Sequence, residues 1–586
     1  MSNTTQKRPS ENSVDPVTVE IVKQRLNGIV EEMQNSLFCT GYSTIIRESR
    51  DASCTVMDSQ GRVIAQHSAI PLHLGAFPAC MEAILQHYAT EDMRMGDSFI
   101  VNHPYYGGNA HATDVAVISP VMVNGEVAAF TGSIAHKSDI GGLVPGTNSG
   151  QAREIFHEGL LLPAVRLYAA GLLNSEIESV IRANSRTPDL VVGDIKGQVG
   201  ATLLGARRVE QLIADYGKDT LGSATEQLFE QTGRLVRSII ASWPDGSYEG
   251  ESVIHNEGVQ GGIPVVINVK ATINNDQMLL DFEKSSDQTS GPYNIRPPLV
   301  RAICYYVMKC IIGQDLESNG GLADVIDIKI REGTVVNPHF PAPVNTYMPV
   351  ALATTEALFD ALGKAVPRAR MAESGHYING TLAHSLGKKG YPQVQYELPA
   401  GAIGARMDCD GVSASKAHVA NGTIVPIEIL ETEYPIEITR FALRPDSGGA
   451  GQFRGGLGYL REYRILGEAM YASRQGKQLK PAEGKDDGKP GAPARIIINP
   501  RTAKEHEILA KDGNVTLDPG DILSMEQAGG GGYGDPRLRP ANKVLEDVRE
   551  GYVTEESAFD DYRVVLVTDA SGALAIDHEA TRDARI

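Results

Sequence analysis

Between Asn102 and Asp139 the chain concentrates side chains able to hold a metal: NHPYYGGNAHATD at residues 102–114 is followed by AHKSDIGG at 135–142. His111 and Asp114 stand three positions apart in a turn-rich stretch, close enough to share one cation. His136 ends the apolar run VAAFTGSIA. A strand leaving the first motif and a hairpin partner returning would bring the three together. Two imidazoles and a carboxylate leave a coordination position open, as a catalytic divalent metal needs if it is to bind and acidify water. The ligand types suit zinc, manganese or iron(II) and do not choose among them. A lone His or Asp is more often a hydrogen-bonded core or surface residue than a ligand, so the weight rests on the trio.

Asp139, Glu154 and Glu158 are the next candidates, as carboxylates that orient a ligand imidazole or act as general base for water. Glu154 and Glu158 are four apart in an expected helix, where solvated or ion-paired glutamates are common. The glycine runs RPDSGGAGQFRGGLG and GGGGYGDP contain no GxxxxGK[ST], and no GxGxxG falls between a strand and a helix. They imply tight β turns and close backbone packing rather than a nucleotide site. No GxSxG elbow is present, which disfavours covalent catalysis.

The elements around these motifs follow from periodicity. Asp15-Pro16 caps a helix expected to run to about Phe38, with a buried stripe of Val19, Val22, Leu26, Ile29, Val30, Met33 and Leu37. Short apolar runs between Ser53 and His136 imply strands and hairpins, with one helix near residues 76–89. From about Arg153 to Ala241 the pattern is helical. The fold class expected is α+β and multi-lobed: a mobile N-terminus (1–14), a metal-site region with a helical segment (15–243), an α+β middle (244–393), a β-rich, glycine-rich region (394–540) and a tail (541–586). The polar stretch RQGKQLKPAEGKDDGKPGAPA is expected to be a surface loop without chemistry.

Composition narrows the function. A formal net charge of −19 over 586 residues opposes binding to nucleic acid or to anionic lipid. No stretch of the sequence is apolar enough for a membrane span, and six scattered cysteines suit a reducing compartment, so a cytoplasmic location is expected.

The two motifs are similar to blocks of the hydantoinase B and 5-oxoprolinase family, whose members, including acetone carboxylase large subunits, carry segments like NDPYxGGTHLPD and AHxxDxGG. RESRD at 47–51, PLHLGAF at 71–77, AREIFHEGLLLP at 152–163, RPDSGGAGQFRGGLG at 444–458 and GGGGYGDP at 529–536 resemble further blocks in the same order. The resemblance implies that His111, Asp114 and His136 hold a divalent metal, zinc foremost with manganese or iron as alternatives, and makes Asp51 the candidate fourth ligand. It implies a hydantoinase A-like ATPase subunit as partner, in an α2β2 heterotetramer. ATP would be used by that partner, which phosphorylates the carbonyl of a small cyclic amide. A metal-bound hydroxide would then open the ring on this chain.

His103 stands where the family usually has Asp, and Ala112-Thr113 replace Leu-Pro; neither change removes a proposed ligand. His103, Asp139 and Glu154 are the candidate catalytic residues. The alternatives are a subunit of an ATP-dependent ketone carboxylase of acetone or acetophenone type, and a structural or regulatory subunit with a closed metal site.

Overall fold

The computed structural model describes residues 14–586 apart from 68, 148, 256–262, 314–315, 377–378, 389, 475, 510–513 and 570. The N-terminal segment expected to be mobile lies, except for Val14, outside the described residues. The first helix is Pro16–Thr40, and the Asp15 carboxylate accepts hydrogen bonds from the amides of Val17 and Thr18, as its Asp-Pro start implies. Its expected stripe is buried in full.

That stripe packs on a seven-stranded antiparallel sheet made of β1 (Ala52–Asp58), β2 (Val63–Gln66), β3 (Ser98–Val101), β4 (Asp114–Val123), β5 (Glu126–His136), β6 (Val165–Ala169) and β7 (Leu172–Leu173). The strand order is β2-β1-β5-β4-β3-β6-β7. Helix Pro188–Tyr216 joins the first helix on one face, through Ala201, Val209 and Leu212. Helix His73–His87 covers the other, packing Phe77, Met81 and Ile84 on Phe99, Ile118 and Phe130. Cover on both faces explains why β4 is a continuous apolar run rather than an alternating one.

The β4–β5 hairpin sets the site. Asn124 and Gly125 form its two-residue turn with φ of 52° and 84°, the left-handed pair that this tight connection requires. From there the register runs to its open end, where Asp114 lies directly opposite His136.

The long helical segment expected over 153–241 is interrupted. Only a single 3-10 turn forms at Ile155–Glu158, then β6 and β7, before helices Ser175–Ala183, Pro188–Tyr216 and Lys218–Ile240. The stretch before Ser175 belongs to the sheet because Val165 and Leu167 have β3 and its covering residues to pack on.

A second sheet, in the order β11-β10-β9-β8, uses β8 (Gly246–Ile254), β9 (Val265–Asn274), β10 (Gln277–Asp281) and β11 (Ile326–Lys329). Helices Pro297–Ile312 and Met348–Ala365 bury its inner face. At Gly250 the approach of Met348–Ala365 is so close that a Cβ would lie 2.1 Å from the Ala357 carbonyl oxygen.

The C-terminal region adds two sheets, β13-β12-β16-β19 and β14-β15-β20-β17-β18. Their strands are β12 (Asn379–His384), β13 (Gln393–Tyr396), β14 (Ile436–Leu443), β15 (Tyr459–Ile465), β16 (Ala469–Arg474), β17 (Arg495–Ile498), β18 (His506–Ile508), β19 (Asn514–Leu517) and β20 (Ile522–Glu526). The glycine runs here are not the tight turns expected. Residues 529–532 are extended outside any ladder, and their successive amides donate to Ala492, Gly456, Glu373 and Lys489, after which Tyr533 donates to Phe453. Amides three apart thus return to the same neighbouring segment, the pattern of a polyproline-II-like strand enclosed by others.

Glycine is needed because no side chain fits between such backbones: a Cβ on Gly455 would lie 2.0 Å from the Gly530 oxygen. The polar stretch from Arg474 to Ala494 is woven into the same bundle and is not a surface loop throughout. Lys477 is buried, with Nζ 2.6 Å from Glu373 and 3.6 Å from Glu356.

Candidate metal centre

At the open end of the β4–β5 hairpin, Asp114 Oδ1 lies 3.1 Å from Nε2 of His111 and 3.1 Å from Nδ1 of His136. One ligand atom from each of the three residues falls within 4.8 Å of the others. All three side chains are buried. His73, at the start of the helix that covers the sheet, brings Nε2 to 3.9 Å from Asp114 Oδ2.

The residues around the cluster orient it. His111 Nδ1 is 2.6 Å from Asn345 Oδ1, and Asn345 Nδ2 donates to the Thr147 carbonyl, which fixes the amide with its oxygen toward the imidazole. Nδ1 of His111 therefore carries the proton, and Nε2 offers its lone pair to the cluster. The His136 ring stacks on Tyr396 at 4.7 Å and 24°, and its Nε2 is buried with no hydrogen-bond partner among the described residues.

Burial would raise the Asp114 carboxyl, but His111, His136 and His73 together hold it well below the usual carboxylate range. Burial pushes the His136 imidazole down, so it is neutral at pH 7 and able to bind a cation. An ionised carboxylate, neutral imidazoles and a partnerless imidazole nitrogen in one buried place fit a divalent metal.

A cavity of about 60 Å³ opens beside the cluster, lined among others by Asp51, His111, His136, Asn345, Tyr396 and Lys416. Asp51 lies where β1 begins, and its carbonyl accepts from the His136 amide at 3.1 Å. Its carboxylate lines the cavity without being one of the three converging groups.

The other residues singled out from the sequence lie outside this cavity. His103 Nδ1 accepts from the amides of Tyr105 and Tyr106 at 3.1 and 3.2 Å and so caps a turn. Burial and then Arg296 push that imidazole down to about 4. Asp139 is fully buried and accepts from the amides of Gly141, Gly146 and Arg186 and from the Arg186 guanidinium, tying down the loop between them. Glu154 is exposed, 3.7 Å from His157.

Glu158, by contrast, is buried, and its Oε1 accepts from the Asn345 amide at 2.7 Å. Burial pushes its carboxyl up to about 8, so a neutral acid sits behind the Asn345–His111 pair.

Sequence reading did not single out His73, Asn345, Thr346, Tyr396 or Lys416. His73 was within reach, since it lies in the PLHLGAF block; the others stand in stretches whose local pattern carries no sign of chemistry.

A buried His-Asp-His cluster with an open cavity, held on a two-sided antiparallel sheet, is the arrangement of a metal-dependent enzyme subunit. The chain belongs to the hydantoinase B/oxoprolinase family, whose sequence profile matches residues 15–536. It is 30% identical to a putative D-/L-hydantoinase component of Pseudomonas sp. (strain NS671), over 98% of each chain. It is also 30% identical to the beta subunit of the caprolactamase of Pseudomonas jessenii, covering 97% of this chain and 99% of that one. The crystal structure of the ATP-dependent caprolactamase from Pseudomonas jessenii superposes with a TM-score of 0.90 at 28% identity, over 98% of this chain and 100% of that chain. With 5-oxoprolinase 1 of Arabidopsis thaliana it shares 27% identity over 90% of its own length, but it spans only 42% of that longer protein. No helix among the described residues is long and apolar enough to cross a membrane.

Proposed function

We propose that this chain is the ring-opening subunit of an ATP-dependent hydrolase of cyclic amides, working with a separate ATPase subunit in an α2β2 assembly. The observation that carries the reading is the buried His111–Asp114–His136 cluster facing a cavity. The relatives support the division of labour. One is the beta subunit of an ATP-dependent caprolactamase, and the part of 5-oxoprolinase 1 that this chain matches is 42% of that protein.

An unstrained cyclic amide is a poor electrophile, because nitrogen donation protects its carbonyl and ring opening expels a basic amine. Phosphorylation of the carbonyl oxygen in the partner would remove that protection. The activated ring then meets water in the cavity of this chain. A divalent metal, zinc foremost, held by His111, Asp114 and His136 with Asp51 as a fourth candidate, supplies acidified water and charge stabilisation. Asn345 keeps the His111 lone pair directed at the cluster, and Tyr396 fixes the His136 ring. Glu158, neutral and one residue removed from His111, is placed to hold a proton when the leaving nitrogen needs one. Asp139 and His103 hold loops beside the site, and Glu154 has no part in the chemistry.

The test is ATP hydrolysis coupled to ring opening of caprolactam, 5-oxoproline and hydantoin by this chain with the ATPase partner. One of the three opens in step with ATP use if the reading holds. Carbon from bicarbonate entering a ketone product, with no cyclic amide opened, would replace it by the carboxylase alternative.

A further inference from the structure

The cavity has a second wall that the His-Asp-His cluster does not use. Lys416, Thr346 and the first turn of helix Met348–Ala365 line it. Thr346 is 2% exposed, and its hydroxyl has no hydrogen-bond partner among the described residues. A buried hydroxyl left in that state is destabilising, so a site that keeps one is shaped for a group that is not part of the chain. The helix begins at Met348 with no side-chain cap, and Tyr347, Met348 and Pro349 line the cavity, so the positive end of its dipole is set against that space.

Lys416 is held there at a cost in backbone strain. Ala414, His418 and Val419 adopt φ of 47°, 38° and 47°, a left-handed region that non-glycine residues, and β-branched ones above all, seldom enter. Strain of this kind gathers at functional sites, where surrounding structure enforces it. The enforcement is visible: His418 is clamped between Ser374 Oγ at 3.1 Å and Tyr306 OH at 3.2 Å, and Ala417 and Val419 are buried in the core. The carboxylates of Asp51 and Asp114 balance a divalent cation, so the ammonium of Lys416 gives the loaded site a net positive charge. Such a site takes an anion.

We propose that Lys416, Thr346 and the first turn of helix Met348–Ala365 form a subsite for a phosphoryl group, beside the metal cluster. Its assignment to the phosphoryl of the activated substrate rests on the hydrolase reading; its anion chemistry rests on the cavity alone. The ammonium and the Thr346 hydroxyl donate to phosphoryl oxygens, and the helix end favours their charge. Lys416 and Thr346 are then binding residues that seat the activated ring with its reacting carbon toward the cluster.

Titration calorimetry with inorganic phosphate, on the intact chain with and without zinc, tests the subsite. Lys416→Met keeps the bulk and removes the charge; Thr346→Val keeps the shape and removes the hydroxyl. Phosphate affinity falls about tenfold or more in the first and several-fold in the second, as expected for charge-assisted hydrogen bonds. Zinc content and the thermal midpoint stay as in the wild type. If Lys416→Met fails to fold, Thr346→Val carries the test.

Absence of phosphate binding by the wild type, or equal binding by the variants, overturns the subsite. With the ATPase partner present, ATP use uncoupled from ring opening in Lys416→Met assigns the anion to the activated substrate. Coupled turnover with weaker phosphate inhibition assigns it to the released product. If no cyclic amide opens while phosphate affinity still depends on Lys416 and Thr346, the subsite stands and the hydrolase reading falls.

Discussion

Replacing Gly529 by alanine tests whether the glycine runs are packing devices. The added Cβ would lie 1.6 Å from the Ser447 carbonyl oxygen and 2.3 Å from its carbon. Both atoms are backbone, so no side-chain rotation relieves the contact. The Gly529 amide is also bonded to the Ala492 carbonyl, and moving it away breaks that bond. Overpacking a core commonly costs about 1–3 kcal/mol when side chains can yield. Here they cannot, and Gly529→Ala is expected to lose about 3 kcal/mol or more, a large share of the roughly 5–15 kcal/mol that holds a domain folded.

Gly222→Ala is the matched control. It lies within helix Lys218–Ile240 with nothing inside 4 Å of its added Cβ among the described residues. There alanine should stabilise by about 0.5–1 kcal/mol, because it limits the unfolded chain without a clash. Thermal and urea midpoints of the two variants and the wild type are the assay. A Gly529→Ala protein that melts with the wild type would refute the bundle reasoning.

Two further predictions follow from the buried polar groups. Asp139→Ala removes four hydrogen bonds from the loop anchored by Gly141, Gly146 and Arg186, and should lower stability by about 2–4 kcal/mol while metal content is retained; loss of metal with unchanged stability would make Asp139 a ligand or base instead. Burial pushes the His418 imidazole down to about 4, with His376 adding and Glu356 opposing. An unfolded histidine titrates near 6.5, so between these values only the unfolded chain takes up the proton. Stability from this residue is complete above about pH 6.5 and declines as pH falls toward 4, by up to about 3 kcal/mol. The urea midpoint of His418→Asn should change less between pH 7 and pH 5 than that of the wild type, and equal slopes would contradict the assignment.

What could be read in the sequence was whatever local pattern determines. The Asp15-Pro16 start and the stripe from Val19 to Leu37 define the first helix, since capping and a 3.6-residue period are properties of contiguous residues. Asn124-Gly125 announces a hairpin, and its register then places Asp114 opposite His136. Glycine runs were ambiguous, because a turn and an enclosed extended strand both need residues without a Cβ, and the neighbours that decide between them lie elsewhere in the chain. The same limit applies at the site. Asn345 reaches His111 across 234 positions, and Lys416 arrives from a loop whose strain shows only in three dimensions. Glu154 and Glu158 looked equivalent in sequence; the 3-10 turn that replaces the expected helix leaves one in solvent and turns the other toward Asn345.

Metal add-back tests the central claim most directly. The chain is stripped with a chelator, divalent metal is restored in steps, and bound metal and ring opening with the ATPase partner are measured on the same samples, alongside Asp114→Asn. Ring opening should rise in proportion to bound metal, saturate at one ion per chain and stay absent in Asp114→Asn, which should bind metal at least about tenfold more weakly. Full ring opening by the stripped chain would contradict the account.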